Sequence, residues 1–347
     1  MILNDNRIKN ISIMKLVAET AWHHEGDFTF MKNLVNEIVN NTNINILKMH
    51  ITLDMDEYMD PNHELYKVLK PMLFSEDQWQ ELISIARLSG KEIMLLLNDT
   101  KAVDFAVSCK PEFVELHASC LNVPHLQKAI LEKLDSKTKI IIGVGGCTLK
   151  EVDSAVRVFK NRETILMFGF QNYPTKYEDV NIEKIRNIQS LYPNLKFGYA
   201  DHTGWDEPNN ELITLLVSAN GMSFIEKHVT THYGIQRIDY SAAISTEMLN
   251  SLSDKIKILE KVKGDGLIKL NNGEKSYSQY GPMKMAAIAK ADFEAGHVLL
   301  AKDISFRRTK EKTKMSQIDV IDVIGTPLAK PILKDDIFDW FHFGEMK

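Results

Sequence analysis

Cysteine is scarce in this chain, with 3 among 347 residues, at Cys109, Cys120 and Cys147 and without paired spacing. An odd, sparse count argues against a disulfide framework and for reduced thiols in the cytoplasm. Long apolar runs are missing too. None approaches the roughly 20 residues that span a bilayer, and the polar residues 1–10 lack the apolar core of a secretory signal. No block of Lys and Arg offers a footprint for nucleic acid or anionic lipid, and the net charge of -5 is small and spread out. A Gly-rich dinucleotide turn after the first strand is also absent, which weighs against a doubly wound open sheet.

What remains is ordinary globular composition, 44% hydrophobic and 26% charged, at a length that fits one large domain and a smaller one. Eight short apolar runs recur at 13–18, 44–51, 92–97, 113–118, 139–144, 164–168, 196–200 and 223–228. Each is nearly continuous in Val, Ile, Leu and Met, the pattern of a strand buried on both faces. Amphipathic stretches at 27–40, 75–89, 124–134, 148–159, 182–192, 210–219 and 246–261 read as helices. Ser75 and Thr148 are N-cap residues, and Thr148 with Glu151 forms a capping box. Strands and helices in this alternation predict a (β/α)₈ barrel, a TIM-type α/β fold, over residues 1–263.

The pattern changes at Gly264. Residues 264–280 are rich in Gly, Asn, Ser and Lys and read as a linker. Residues 281–347 show short β-like runs at 286–289, 297–299, 304–307, 321–323 and 329–332. They predict a small β-rich module.

In a barrel, chemistry sits where strands end. His202 and His228 fall at the mouths of adjacent strands, which lie about 4.8 Å apart, so two imidazoles there can share one metal. A lone His at such a position is more often a plain hydrogen-bonding residue. The pair, with Asp201, Glu226 and Asp239 nearby, points to Mn²⁺, Fe²⁺ or Zn²⁺. Glu19 ends an apolar strand, where an unpaired carboxylate would be costly, so a polar pocket or a partner such as Lys48 on the next strand is expected. Lys48 itself points toward the mouth and suits a phosphate or carboxylate.

These residues stand in longer motifs. The segment from Glu19 to Asp27 resembles the A-E-x-x-x-N-H-x-G-D opening of the sialic acid synthase (NeuB-type) family, with His23 in place of Asn. Lys48 matches its strand-2 lysine. Tyr173-Pro174-Thr175 with Glu178 to Asn181 resembles Y-P-T…E-D-x-N. Residues 198–203 resemble G-Y-S-D-H-T, 225–230 resemble I-E-K-H-F-T, and Asp239 falls at the family's D-H after strand 8. The module from Gly281 onward resembles the antifreeze-like (SAF) domain of these synthases, including Asp292 to Gly296 and Arg307-Arg308.

The resemblance implies condensation of phosphoenolpyruvate with an N-acyl-mannosamine-like amino sugar to a sialic-acid-like 3-deoxynonulosonate. It implies a divalent metal on His202 and His228, Mn²⁺ first, with Mg²⁺, Fe²⁺, Co²⁺ or Zn²⁺ as alternatives. Glu19 would handle a proton. Lys48 and Ser119 would hold phosphate or carboxylate oxygens, and Gln171, Tyr173 and Asp239 would line the sugar side. A domain-swapped homodimer is implied, since in the family the C-terminal module caps a partner's barrel.

The sequence departs from the family pattern at several anchors. On strand 4 the K-I-x-S-G/C-E/D segment reads Leu116 to Leu121, without the lysine or the acidic residue. On strand 5 S-T-G-M becomes Gly143-Val144-Gly145-Gly146, Ala200 replaces Ser on strand 7, and Lys284-Met285-Ala286 replaces R-R-S in the C-terminal module. Most of these losses fall on the phosphate side that the resemblance implies. They keep two other readings open: a metal-dependent aldol-type condensation or lyase step with pyruvate or another keto acid, and a non-catalytic sugar-binding paralogue.

Overall fold

The computed structural model describes residues 14–169 and 172–344. Eight parallel strands close into a barrel in chain order: β1 (Lys15–Glu19), β2 (Ile46–Ile51), β3 (Glu92–Leu97), β4 (Phe113–Leu116), β5 (Lys139–Gly143), β6 (Thr164–Phe168), β7 (Lys196–Asp201) and β8 (Phe224–His228). β1 pairs with β2 on one side and with β8 on the other, so no edge is left open.

Helices cover the outside: α1 (Phe28–Asn41), α2 (Glu76–Leu88), α3 (Thr100–Cys109), α4 (Pro124–Lys133), α5 (Leu149–Val158), α6 (Ile182–Leu191), α7 (Asn210–Ser218) and α8 (Thr246–Lys263). Each buries an apolar stripe on the strands. In α1 that stripe is Met31, Leu34, Val35, Ile38 and Val39. The capping boxes at Ser75 and Thr148 are both formed. α3 has no counterpart in the sequence-based set. Its ten residues, TKAVDFAVSC, carry two Val, a Thr, a Ser and a Cys, all weak helix formers, and packing against its neighbours makes it helical. Among the described residues no helix is long and apolar enough to cross a membrane.

The barrel interior is layered because side chains on a strand repeat every second residue. Val17, Ile46, Met94, Phe113, Ile141, Ile165 and Phe224 form an apolar floor. Two residues farther along four of these strands stand Glu19, Lys48, Glu115 and Glu226, all buried. Another step of two on β2, β4 and β8 reaches His50, His117 and His228.

The chain divides into two compact units, Met1–Asp265 and Gly266–Lys347. The second unit holds an antiparallel pair, β9 (Ala286–Ala289) and β10 (Ile304–Arg307), and a short helix α9 (Gln317–Asp322). Its own core comprises Ala287, Ala289, Leu299, Ile304, Met315, Val320, Leu328, Ile332 and Phe338. The expected strand at 321–323 is instead the end of α9. Ser316 caps that helix, with Asp319 closing the capping box, and this local signal outweighs the β-branched run.

Candidate active site

Glu19 stands opposite Lys48 in the β1–β2 register and opposite His228 in the β1–β8 register. Three of the residues singled out in the sequence are therefore neighbours by strand pairing alone. His202 follows β7 directly, and the Nε2 atoms of His202 and His228 lie 3.2 Å apart with the rings nearly perpendicular. The Glu19 Oε2 atom lies 3.3 Å from His228 Nε2 and 3.2 Å from Lys48 Nζ. Tyr173 packs beside both imidazoles and donates its hydroxyl to the Asp239 carbonyl oxygen. The Asp239 carboxylate accepts the Trp22 amide at 3.0 Å.

All seven of these residues line one cavity of about 470 Å³ at the C-terminal end of the barrel, a size suited to small-molecule ligands. Ser119 lies outside that lining. β4 stops at Leu116 and a turn begins, which leaves Ser119 exposed with its hydroxyl 3.0 Å from His117 Nδ1. Gln171 falls outside the described residues.

The charge layer holds what sequence reasoning missed. The Lys48 ammonium lies 2.7 Å from Glu115, 2.9 Å from Glu226 and 3.2 Å from Glu19. Among the cavity's described lining residues it is the only lysine or arginine. The inward residue on β4 is thus a carboxylate, one position before Leu116, which stands where the family pattern carries a lysine. A signal was available, since Phe113-Val114-Glu115-Leu116-His117 alternates with period two and puts Glu115 on the face of Phe113. Gly143 on β5 leaves room beside it: a Cβ there would sit 3.4 Å from a Glu115 oxygen and 3.2 Å from the Ala118 nitrogen.

Protonation follows from this crowding. Burial alone would raise the Glu19 carboxyl, but Lys48 and His228 outweigh it and hold Glu19 well below the usual carboxylate range. Burial raises Glu226 well above that range and raises Glu115 too, with Lys48 opposing only in part. The ammonium itself is held charged by the three carboxylates against the cost of burial. Burial also keeps imidazoles neutral, with His50 and His202 lowered to about 3 and His117 to about 4. A neutral imidazole offers a lone pair.

Two imidazole nitrogens at about 2.1 Å from a common ion and 3.2 Å apart subtend about 100° there, within the range of ordinary coordination. The donor set therefore fits a divalent metal. Among the described residues no three His, Cys, Asp or Glu side chains form a complete cage. The pair would supply two ligands and leave positions for substrate and water.

Residues 43–267 match the model of the NeuB family. The chain is 26% identical to an uncharacterized protein of Methanocaldococcus jannaschii, over 94% of this chain and 93% of that one. It is 24% identical to the N,N'-diacetyllegionaminic acid synthase of Legionella pneumophila, over 94% of each. The crystal structure of an N-acetylneuraminic acid (sialic acid) synthetase from Leptospira borgpetersenii superposes with a TM-score of 0.69 at 22% identity, over 76% of this chain and 89% of that one. The chain belongs to the NeuB family, as a divergent, carbon–carbon bond-forming synthase.

Proposed function

We propose that the chain condenses phosphoenolpyruvate with an N-acyl-mannosamine-like sugar, with a divalent metal held by His202 and His228, and yields a sialic-acid-like 3-deoxynonulosonate and phosphate. The observation that carries this reading is the pair of Nε2 atoms 3.2 Å apart, with the ionised Glu19 3.3 Å from one of them. When bound, the metal would act as a Lewis acid toward the aldehyde oxygen of the sugar.

The chain's own groups account for the remaining steps. C3 of the enol forms the new bond to the aldehyde carbon. Water adds at C2, the resulting tetrahedral carbon loses phosphate, and the 2-keto group remains. Glu19, held ionised beside Lys48, is suited to take the proton of that water. Tyr173 and Asp239 wall the sugar side, where Tyr173 rests on both imidazoles. Lys48 fixes the charge of Glu19, and its anion-binding capacity is shared among three carboxylates. The C-terminal unit would act as an antifreeze-like module of a homodimer.

A second reading changes the three-carbon partner. Four carboxylates (Glu19, Glu115, Glu226 and Asp239) and one lysine line the cavity. Pyruvate or another keto acid carries less charge into that setting than phosphoenolpyruvate does, and an aldol-type step would then release no phosphate.

Incubation with Mn²⁺, a panel of N-acyl hexosamines and either phosphoenolpyruvate or pyruvate separates the two. Phosphate release matched to sugar consumption is expected. Product from pyruvate without phosphate release would select the second reading. No turnover of any sugar with either partner would sink both.

A further inference from the structure

Behind the imidazole pair, on the outer face of the barrel, lies a buried polar network that the reaction does not use. Asp201 and Lys227 stand opposite each other in the β7–β8 register, each one residue before a metal-site histidine. Both side chains are fully buried, 3.1 Å apart. Because side chains alternate along a strand, Asp201 and Lys227 point outward toward α7 while the histidines point into the barrel.

The network encloses His202 along the chain. Asp201 Oδ1 accepts the Thr203 amide at 2.9 Å and the Thr203 hydroxyl at 2.6 Å, so the residues before and after His202 are tied to each other. Asp201 Oδ2 accepts from the Thr214 hydroxyl on α7 and from Lys227. Asn210, at the start of α7, accepts from Lys227 at 2.8 Å and donates to the Thr203 and Gly204 carbonyl oxygens at 3.0 and 2.8 Å. One buried centre thus holds the backbone on both sides of His202 and the residue that precedes His228.

A buried ion pair is poor evidence for stability, because desolvation of two charges offsets their attraction, and well-packed neutral replacements often fold as well or better. Its placement here offers another reason for its presence. We propose that Asp201 and Lys227 are positioning residues that set the separation and orientation of the His202 and His228 imidazoles. The use of that pair to hold a metal rests on the function proposed above; the positioning itself does not. Metal-ligating imidazoles depend on such supports, and their loss typically weakens metal binding about 10- to 100-fold.

The double variant Asp201→Asn/Lys227→Met removes both charges and keeps the volume. We expect its urea unfolding midpoint to stay at or above that of the unsubstituted protein. In ¹⁵N-histidine-labelled, metal-free protein we expect the imidazole resonances of His202 and His228 to shift while those of His24 and His63 stay in place. Cobalt titration of the same samples should show affinity reduced about 10-fold or more, with an altered visible spectrum. A folded double variant with unshifted His202 and His228 resonances overturns the proposal, whatever cobalt does. If the unsubstituted protein binds no cobalt, or binds it equally after His228→Gln, the metal reading fails and the resonances still decide the positioning. Should the double variant not fold, Thr214→Val, which removes one bond to Asp201, takes its place under the same criterion.

Discussion

The two halves of the cavity are built from adjacent layers of one barrel and do opposite things with them. At β7 and β8 the top layer carries two imidazoles with their Nε2 atoms facing each other, and Glu19 stands beside them. At β2 and β4 the layer below carries a lysine already paired, with Glu115 taking one of its contacts at 2.7 Å. The first half is open to an electron-poor ligand. The second has spent its cation on carboxylates. Under the proposed function, the metal side of the site is kept while the other side is crowded with carboxylates, because each strand end is an independent position on a rigid frame.

The largest expected effect breaks the first half. His228→Ala should lower kcat by about 10³-fold, the several kcal/mol that a Lewis acid contributes, and should abolish cobalt binding at the site. Steady-state turnover and metal titration check it. The second half breaks differently. Lys48→Met leaves buried carboxylates without their cation and should cost about 3 kcal/mol of stability, read from urea unfolding, with partial relief where Glu115 and Glu226 take up protons.

Acid also tests the imidazole layer. His24, His50 and His117 are neutral in the fold, lowered to about 4, 3 and 4 by burial, and would charge in the unfolded chain near pH 6.5. The unfolded state therefore binds more protons below about pH 6.5. Their contribution is complete above that pH and is lost as pH falls toward 4, at up to about 1.4 kcal/mol per pH unit for each group. The unfolding midpoint should drop between pH 7 and pH 5, and His50→Gln should flatten that slope.

Glu115→Gln sharpens the comparison by returning part of the Lys48 charge to the cavity. Affinity for phosphoenolpyruvate should rise about tenfold by calorimetry, since one carboxylate charge near the anion is removed. An unchanged or weaker affinity would mean that Glu115 does not govern anion entry. Ser119→Ala should change kcat/KM by less than about twofold, because its hydroxyl faces His117 at an exposed turn.

Much of this was legible along the chain. Apolar runs gave the strands within a few residues, and the ordered motifs from Glu19 to Asp239 marked residues that the fold brings to one cavity. The helix Thr100–Cys109 was not legible, because its stability comes from packing rather than propensity. Glu115 is masked in the sequence by the apolar run around it, although the period-two pattern places it on the inner face.

The sequence by itself determined which residues alternate inward along each strand, because a strand's side chains repeat every second residue whatever surrounds them. It therefore determined the barrel, its apolar floor and the imidazoles above. Only the tertiary structure decided which inward residues meet. Strand register set Glu19 between Lys48 and His228, and closure of the barrel brought Glu115 and Glu226 onto the same ammonium. Charge state depends on those distances and on burial. A lysine that reads as an anion anchor in the sequence is, in the folded protein, the counter-ion of three carboxylates.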